Sequence, residues 1–272
     1  MRWKTVSHLF FALTILAIAA IGLLGGSFAP ILAGVPKSLP DRQVVADICN
    51  IVLIACGAGL IVRRTAAPAA LALLIYLIIW TILFKVPFII RQPLIEVSYQ
   101  TCGENAVLIA AAWLLYLWSV RDAKAWRVNF LSGGAGLRIA HLLYGFALIA
   151  FGFSHFAYLN LTAPLVPAWL PGHVFWAYLT GGTYILTGGA IIIGFAAGLA
   201  AAIAALQIAL ITLLVWGPMI FAGHISVENW QETAVSWALS AAAWVVAISY
   251  EGHPWLKRPG FGALAGRLPA RG

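Results

Sequence analysis

The sequence predicts an all-α integral membrane protein of about eight transmembrane helices, arranged as two parallel four-helix-bundle repeats. Three observations carry this: a composition too apolar for water, a set of apolar runs of spanning length, and an internal match between the two halves. Of 272 residues, 63% are hydrophobic and 9% are charged, and the mean hydropathy is +0.97. A soluble domain is roughly half apolar and a quarter charged, so this chain cannot cover a core with polar surface. Its natural solvent is the lipid bilayer.

A span needs about 20 mostly apolar residues. Eight segments qualify: 7–26, 44–62, 66–86, 104–120, 138–158, 173–195, 198–219 and 233–250. Within lipid a helix satisfies all of its backbone hydrogen bonds internally, which makes the class all-α. The amino terminus imitates a signal peptide, with Arg2 and Lys4 before an apolar run and Ser27-Phe28-Ala29 after it. Pro30 follows the would-be cut, and the run is as long as a span, so it reads as a retained first helix.

Orientation follows from the basic residues. With the amino terminus in the cytoplasm, the inner segments hold twelve Lys and Arg, and the outer ones keep four: Lys37, Arg42, Lys85 and Arg91. That bias predicts that both termini are cytoplasmic. The overall excess, 16 Lys+Arg against 8 Asp+Glu, therefore sits in loops, and no nucleic-acid partner is expected.

The two halves match at a shift of 131 residues. Val35-Pro36 falls on Val166-Pro167, Gly57 on Gly188, Thr81 on Thr212, Pro87 on Pro218, Gln100 on Gln231, and Ala110–Trp113 on Ala241–Trp244. From Val35 to Trp113, 21 of 79 positions are identical without a gap, against roughly 7 expected by composition. Prolines, glycines and loop residues take part, so shared hydrophobicity is not the cause. An even number of spans per unit makes the units parallel, unlike the inverted pairs of many transporters. The divisions read as a first, degenerate repeat over 1–122, a basic linker over 123–137, a second repeat over 138–252 and a tail over 253–272.

Candidate functional groups gather at the predicted outer end of the second half. They are His155, His173, Tyr178, His224, Glu228 and Glu232, whereas Leu24, Arg42, Pro93, Val97 and Thr101 stand at matching places in the first half. Imidazole and carboxylate suit a quinone headgroup, a small acid or a divalent ion. The same residues also suit the membrane–water interface, which collects solvated polar tips. Their spacing matches no metal motif, so no metal site is expected. His141 and His155, fourteen residues apart on one helix, have the spacing of a two-haem ligand helix, but no other helix bears such a pair, so haem is not expected. Cys49 and Cys56 lie roughly 10 Å apart along one helix and cannot bond to each other. Glycines at 181–182 and 188–189 read as packing surfaces, Pro87 and Pro218 as kinks or stops, Asp47 as a helix cap and Lys85 as a snorkelling cation. No phosphate-cradling loop, nucleophile elbow or His-Glu-x-x-His is present, which argues against an ATPase or hydrolase.

Gly152-Phe153-Ser154-His155-Phe156, Val166-Pro167-Ala168-Trp169-Leu170-Pro171 and Phe175-Trp176-Ala177-Tyr178-Leu179-Thr180-Gly181-Gly182 resemble the first loop and second helix of the DoxX family. The resemblance extends over about 139–250 and, in matched register, over 7–120. It implies a tandem fusion of two four-helix bacterial inner-membrane units. It implies further a quinone-associated or accessory subunit of a membrane redox complex, partnered by a soluble or membrane oxidoreductase subunit. His155 occupies the polar position at the end of the family's first helix, and Tyr184 stands where many relatives carry an acid or a histidine. A small-molecule carrier or permease is the alternative from another class, and a non-catalytic assembly factor is a third.

Overall fold

The computed structural model describes residues 2–121, 126–221 and 226–252. Its long helices are α1 (Arg2–Leu24), α2 (Arg42–Ile61), α3 (Ala66–Arg91), α4 (Glu96–Ser119), α5 (Gly134–Ala157), α6 (His173–Ile193), α7 (Ala197–Phe221) and α8 (Val227–Ser249). Each is long and apolar enough to cross a membrane. Among the described residues the remaining regular structure is short helical turns in the loops, and there is no strand.

Each helix packs on the next along the chain, and α8 returns to α1, so the eight close into a ring. The ring is pinched at its middle, where α4 lies against α8. These two are the most buried helices, and Ala110–Ala112 on one and Ala241–Ala243 on the other have no exposed surface. Small side chains let the backbones approach, which is how helices associate where lipid removes the hydrophobic drive. The fourth helix of each set of four packs on the first helix of the other set, α4 on α5 and α8 on α1. One continuous apolar core therefore runs through both sets.

Two ends of the ring differ in chemistry. At one, Lys4 of α1 stands 5.6 Å over the Trp118 ring of α4, and His141 of α5 meets Ser249 of α8. Arg63, Arg64, Arg121, Arg127 and Arg138 belong to this basic end. Ser249 donates to the Val246 carbonyl (2.6 Å), so its oxygen accepts from His141 Nε2 at 2.8 Å. The Tyr250 ring stacks on His141 at 4.3 Å, and burial pushes its phenol above the usual range, keeping it neutral. The other end carries Glu96, Glu104, Glu232 and Lys85.

Positions 131 apart repeatedly do the same work. Thr81–Lys85 and Thr212–Trp216 each form one wide π turn inside α3 and α7, with Val86 N–H donating to Thr81 O and Gly217 N–H to Thr212 O. Pro87 and Pro218 explain both turns, since each lacks the N–H that an α-helix needs and crowds the carbonyl four residues back. The prolines thus widen their helices without stopping them. Thr81 accepts from Asn105 Nδ2 at 3.1 Å, and Thr212 shares a 2.7 Å hydroxyl bond with Ser236. Asp41 and Gly172, before α2 and α6, both adopt left-handed φ, at 47° and 74°.

Most expected boundaries agree to within a few residues. The largest difference is α4, which starts at Glu96 and not at 104, and α8 starts at Val227 and not at 233. The polar residues that lower the hydropathy of these stretches are helical all the same. At α8, Ser226 caps the start by accepting from Asn229 N–H at 3.1 Å. At α4, Glu96 in the first turn complements the positive helix end.

Candidate functional site

The π turn of α3 determines where Lys85 goes. One extra residue in the turn rotates Lys85 off the lipid side, and its side chain keeps only 3% of its surface exposed. It does not snorkel. The stem passes the loop after α1, where a Cβ on Gly34 would lie 3.9 Å from Lys85 Cδ. Gly34 has φ of 102°, a conformation that excludes ordinary side chains and holds the chain close. Neighbouring Pro30–Leu32 packs on α8, with Ile31 and Leu32 buried. Asn50 of α2 pins this loop from beneath: its Oδ1 accepts from Ala29 N–H at 3.0 Å and its Nδ2 donates to Ser27 O at 2.7 Å.

The Lys85 ammonium lies in the field of two carboxylates, Glu104 of α4 and Glu232 of α8. Glu104 also feels Glu96, and Gln100 faces it one turn earlier on the same helix. Glu96, Gln100 and Glu104 follow at four-residue intervals and so line one side of α4. From α5, the Ser154 hydroxyl donates to Gln100 Oε1 at 2.8 Å and lies beside Glu96. Tyr158 closes this wall, its hydroxyl accepting from Val97 N–H at 3.2 Å. Both Glu96 oxygens are buried without a hydrogen-bond partner. No hydrogen bond to a described residue ends the Lys85 ammonium.

These groups differ in exposure. Glu104 and Gln100 keep intermediate exposure on a helix whose next residues, Val107 to Leu117, are buried. Glu232, nearer the end of the bundle, is exposed. Glu104 lies eight residues into α4, about 12 Å from its start. Beneath it the Thr81–Asn105 bond and the α4–α8 contact close the bundle toward the basic end. The cluster sets one ammonium against Glu104 and Glu232, with Glu96 acting on Glu104 from further along α4.

The residues expected from sequence divide between two places. Glu232 joins the Lys85 cluster. His155 faces away from it toward α6: its Nδ1–H donates to the Phe151 carbonyl at 2.8 Å, and its ring meets Tyr184 edge-on at 5.5 Å. That bond fixes the neutral tautomer and leaves Nε2 as an acceptor. Tyr178 is exposed beside Phe156, with ring centroids 5.7 Å apart, and His173 is the half-buried first residue of α6. His224 lies outside the described residues, as does the side chain of Glu228. Asp47 does not cap α2; it sits inside the helix with Oδ1 buried and unpartnered. Among the described residues, no three His, Cys, Asp or Glu side chains are grouped to hold a metal ion.

Glu96 and Glu104 were not singled out by sequence, Lys85 was read only as a snorkelling cation and Gln100 only as a repeat match, and all four belong to the first half. The available signal was the four-residue spacing of Glu96, Gln100 and Glu104, which leads into the fourth apolar run and which a hydropathy window discards. Compared with family models, with curated proteins and with solved structures, the chain finds no match in any of the three.

Proposed function

We propose that this chain is a DoxX-like protein of the bacterial inner membrane, built from two copies of one four-helix unit, which binds a quinone headgroup as an accessory subunit of a membrane redox complex. The basic end and both termini face the cytoplasm, and the Lys85 cluster faces outward. The observation that carries this reading is Lys85, buried within the bundle in the field of Glu104 and Glu232. A charge at bilayer depth costs at least about 2.5–3.5 kcal/mol, so such residues mark functional sites by default. A ligand that enters at this depth and offers polar atoms to Lys85 and Glu104 suits a lipid-borne carrier with a polar head.

The carrier alternative gains from the same residues, because ionisable groups inside helices also mark transport paths. Two features of the fold oppose it. The two sets interlock through α4 and α8 into one core, which leaves no pair of separate bodies to rock. The apolar α4–α8 contact also lies between the Lys85 cluster and the basic end. Binding without passage fits this arrangement better.

Purified protein in detergent should quench its tryptophan emission on titration with ubiquinone-1, and Lys85→Met should weaken that binding at least tenfold. Unchanged affinity in a folded Lys85→Met protein would remove the Lys85 cluster from the proposal. Uptake of a small solute by proteoliposomes, with no quinone binding, would favour the carrier. Affinity capture from native membranes should bring down an oxidoreductase subunit.

A further inference from the structure

We propose that the linker between the two halves is a binding surface for anionic phospholipid headgroups, at the level where α4 ends and α5 begins. Two buried aromatic side chains of α4 hold its backbone. Tyr116, with no exposed surface, donates its hydroxyl to the Trp126 carbonyl at 2.8 Å and accepts from Val128 N–H at 2.8 Å. Trp113 Nε1–H donates to the Leu131 carbonyl at 2.9 Å. Gly136 of α5 has no room for a Cβ beside that carbonyl and the Trp113 indole, so α5 starts close against the same turn. These contacts tie the linker's backbone to the bundle and leave its larger side chains outside.

What stays outside is apolar and cationic. Trp126, Val128 and Phe130 are 50%, 42% and 63% exposed, a loop patch that water disfavours. Arg121 and Arg127 are exposed in the same stretch, and Arg138 follows, exposed, early in α5. Arg127 Nε donates to Ser132 Oγ at 3.3 Å, which steadies its guanidinium. Over 119–140 the sequence sets Arg121, Lys124, Arg127 and Arg138 against one acid, Asp122. The segment joins the ends of two spans, Ser119 and Gly134, which places it where headgroups meet acyl chains. Aromatic rings settle at that depth, and guanidinium groups pair with phosphate oxygens. Rings and cations side by side therefore match the two layers of an anionic phospholipid. An acidic soluble partner would answer the arginines but would compete with acyl chains for Trp126 and Phe130. Each basic side chain near an anionic surface raises the local affinity about fivefold. The inference needs only the membrane-spanning fold and stands apart from the quinone reading.

The test reconstitutes the full-length protein into vesicles of phosphatidylcholine and phosphatidylglycerol in equal parts. One lipid or the other is brominated near the headgroup end of its acyl chains. The emission of Trp126 is the difference between the wild type and Trp126→Phe, a change to an exposed side chain that leaves the backbone bonds in place. Brominated phosphatidylglycerol should quench that emission at least about twofold more than brominated phosphatidylcholine. Arg121→Gln and Arg127→Gln together should abolish the excess. Phe130→Trp, made on the Trp126→Phe background, repeats the reading from a second position. Equal quenching by the two lipids would overturn the inference, and so would an excess that survives the loss of both arginines. Absence of quenching by either lipid would overturn lipid contact altogether and assign the patch to a soluble partner.

Discussion

Two pairs of adjacent glycines on α6 offer a sharp test of how the helices fit. A Cβ on Gly188 would lie 2.5 Å from the Gly145 carbonyl oxygen and 3.2 Å from the Ile149 nitrogen, both backbone atoms of α5. A Cβ on Gly181 would lie 2.9 Å from His155 Cβ and 3.1 Å from the Gly152 carbonyl oxygen. Gly182 and Gly189, one residue on, meet nothing within 4 Å. Backbone cannot yield as a flexible side chain can, so alanine at 181 or 188 forces α5 and α6 apart. Overpacking of this kind costs about 1–3 kcal/mol. Alanine at 182 or 189 meets no obstacle and gains up to about 1 kcal/mol of helix propensity. At about 2–4 °C per kcal/mol for a chain of this size, the inward variants should melt roughly 2–12 °C below the wild type. The outward ones should melt at or slightly above it. Tryptophan-monitored melting of the four single variants in one detergent measures the split. Equal losses at 188 and 189, or none at 188, would refute the close α5–α6 approach and the placement of His155 that depends on it.

Other expectations follow from named contacts. Lys85→Met leaves Glu104 and Glu232 uncompensated and should cost about 3–5 kcal/mol of stability, largely restored by adding Glu104→Gln; melting temperatures of the single and double variants check it, and additive losses would refute the pairing. Asn50→Ala removes both bonds that hold the loop after α1 and should cost about 2–3 kcal/mol; it should also speed proteolysis between residues 25 and 41, and unchanged cleavage would show that Asn50 does not pin the loop. Thr81→Ala and Asn105→Ala should show a coupling of about 0.5–1.5 kcal/mol in a double-mutant cycle. Cysteines at positions 133 and 252 should label from the cytoplasmic face and one at 172 from the other, and labelling of 133 and 252 from opposite faces would break the topology.

The sequence exposed the frame of this protein far better than its site. Composition and eight apolar runs are one-dimensional signals, and lipid converts them directly into helices. The same window that found α4 also hid its most informative turns. Glu96 and Gln100 lower the local hydropathy, so the run appeared to begin only at Glu104, and Lys85 looked like an interfacial residue able to reach water. What placed Lys85 inside was the π turn before Pro87, and its inward direction depends on which neighbours α3 meets. Only the ring closure, with α4 against α8, brings Glu232 to Lys85 across nearly 150 residues of chain. His155 shows the converse. It was prominent in sequence as a histidine within an apolar run, and the structure gives it a backbone carbonyl and a tyrosine ring in the α5–α6 joint.

The positions that agree and disagree at the 131-residue shift separate scaffold from site. Thr81 and Thr212, Asn105 and Ser236, Gly57 and Gly188, and Pro87 and Pro218 meet equivalent demands: a hydrogen bond beside a widened turn, a close helix approach, a missing N–H. Lys85 faces Trp216 across the shift, Glu104 faces Val235, and Glu96 faces Val227. A buried charge without its countercharges is costly, so such a set cannot be acquired or lost one member at a time without penalty. The set is therefore expected to persist as a unit where it has a ligand to meet, and its counterpart to become apolar as a unit. In the duplication we propose, this makes the first half more than a support: it supplies Lys85, Glu96 and Glu104 of the charged cluster, and the second half contributes Glu232 and the α8 surface packed on α4.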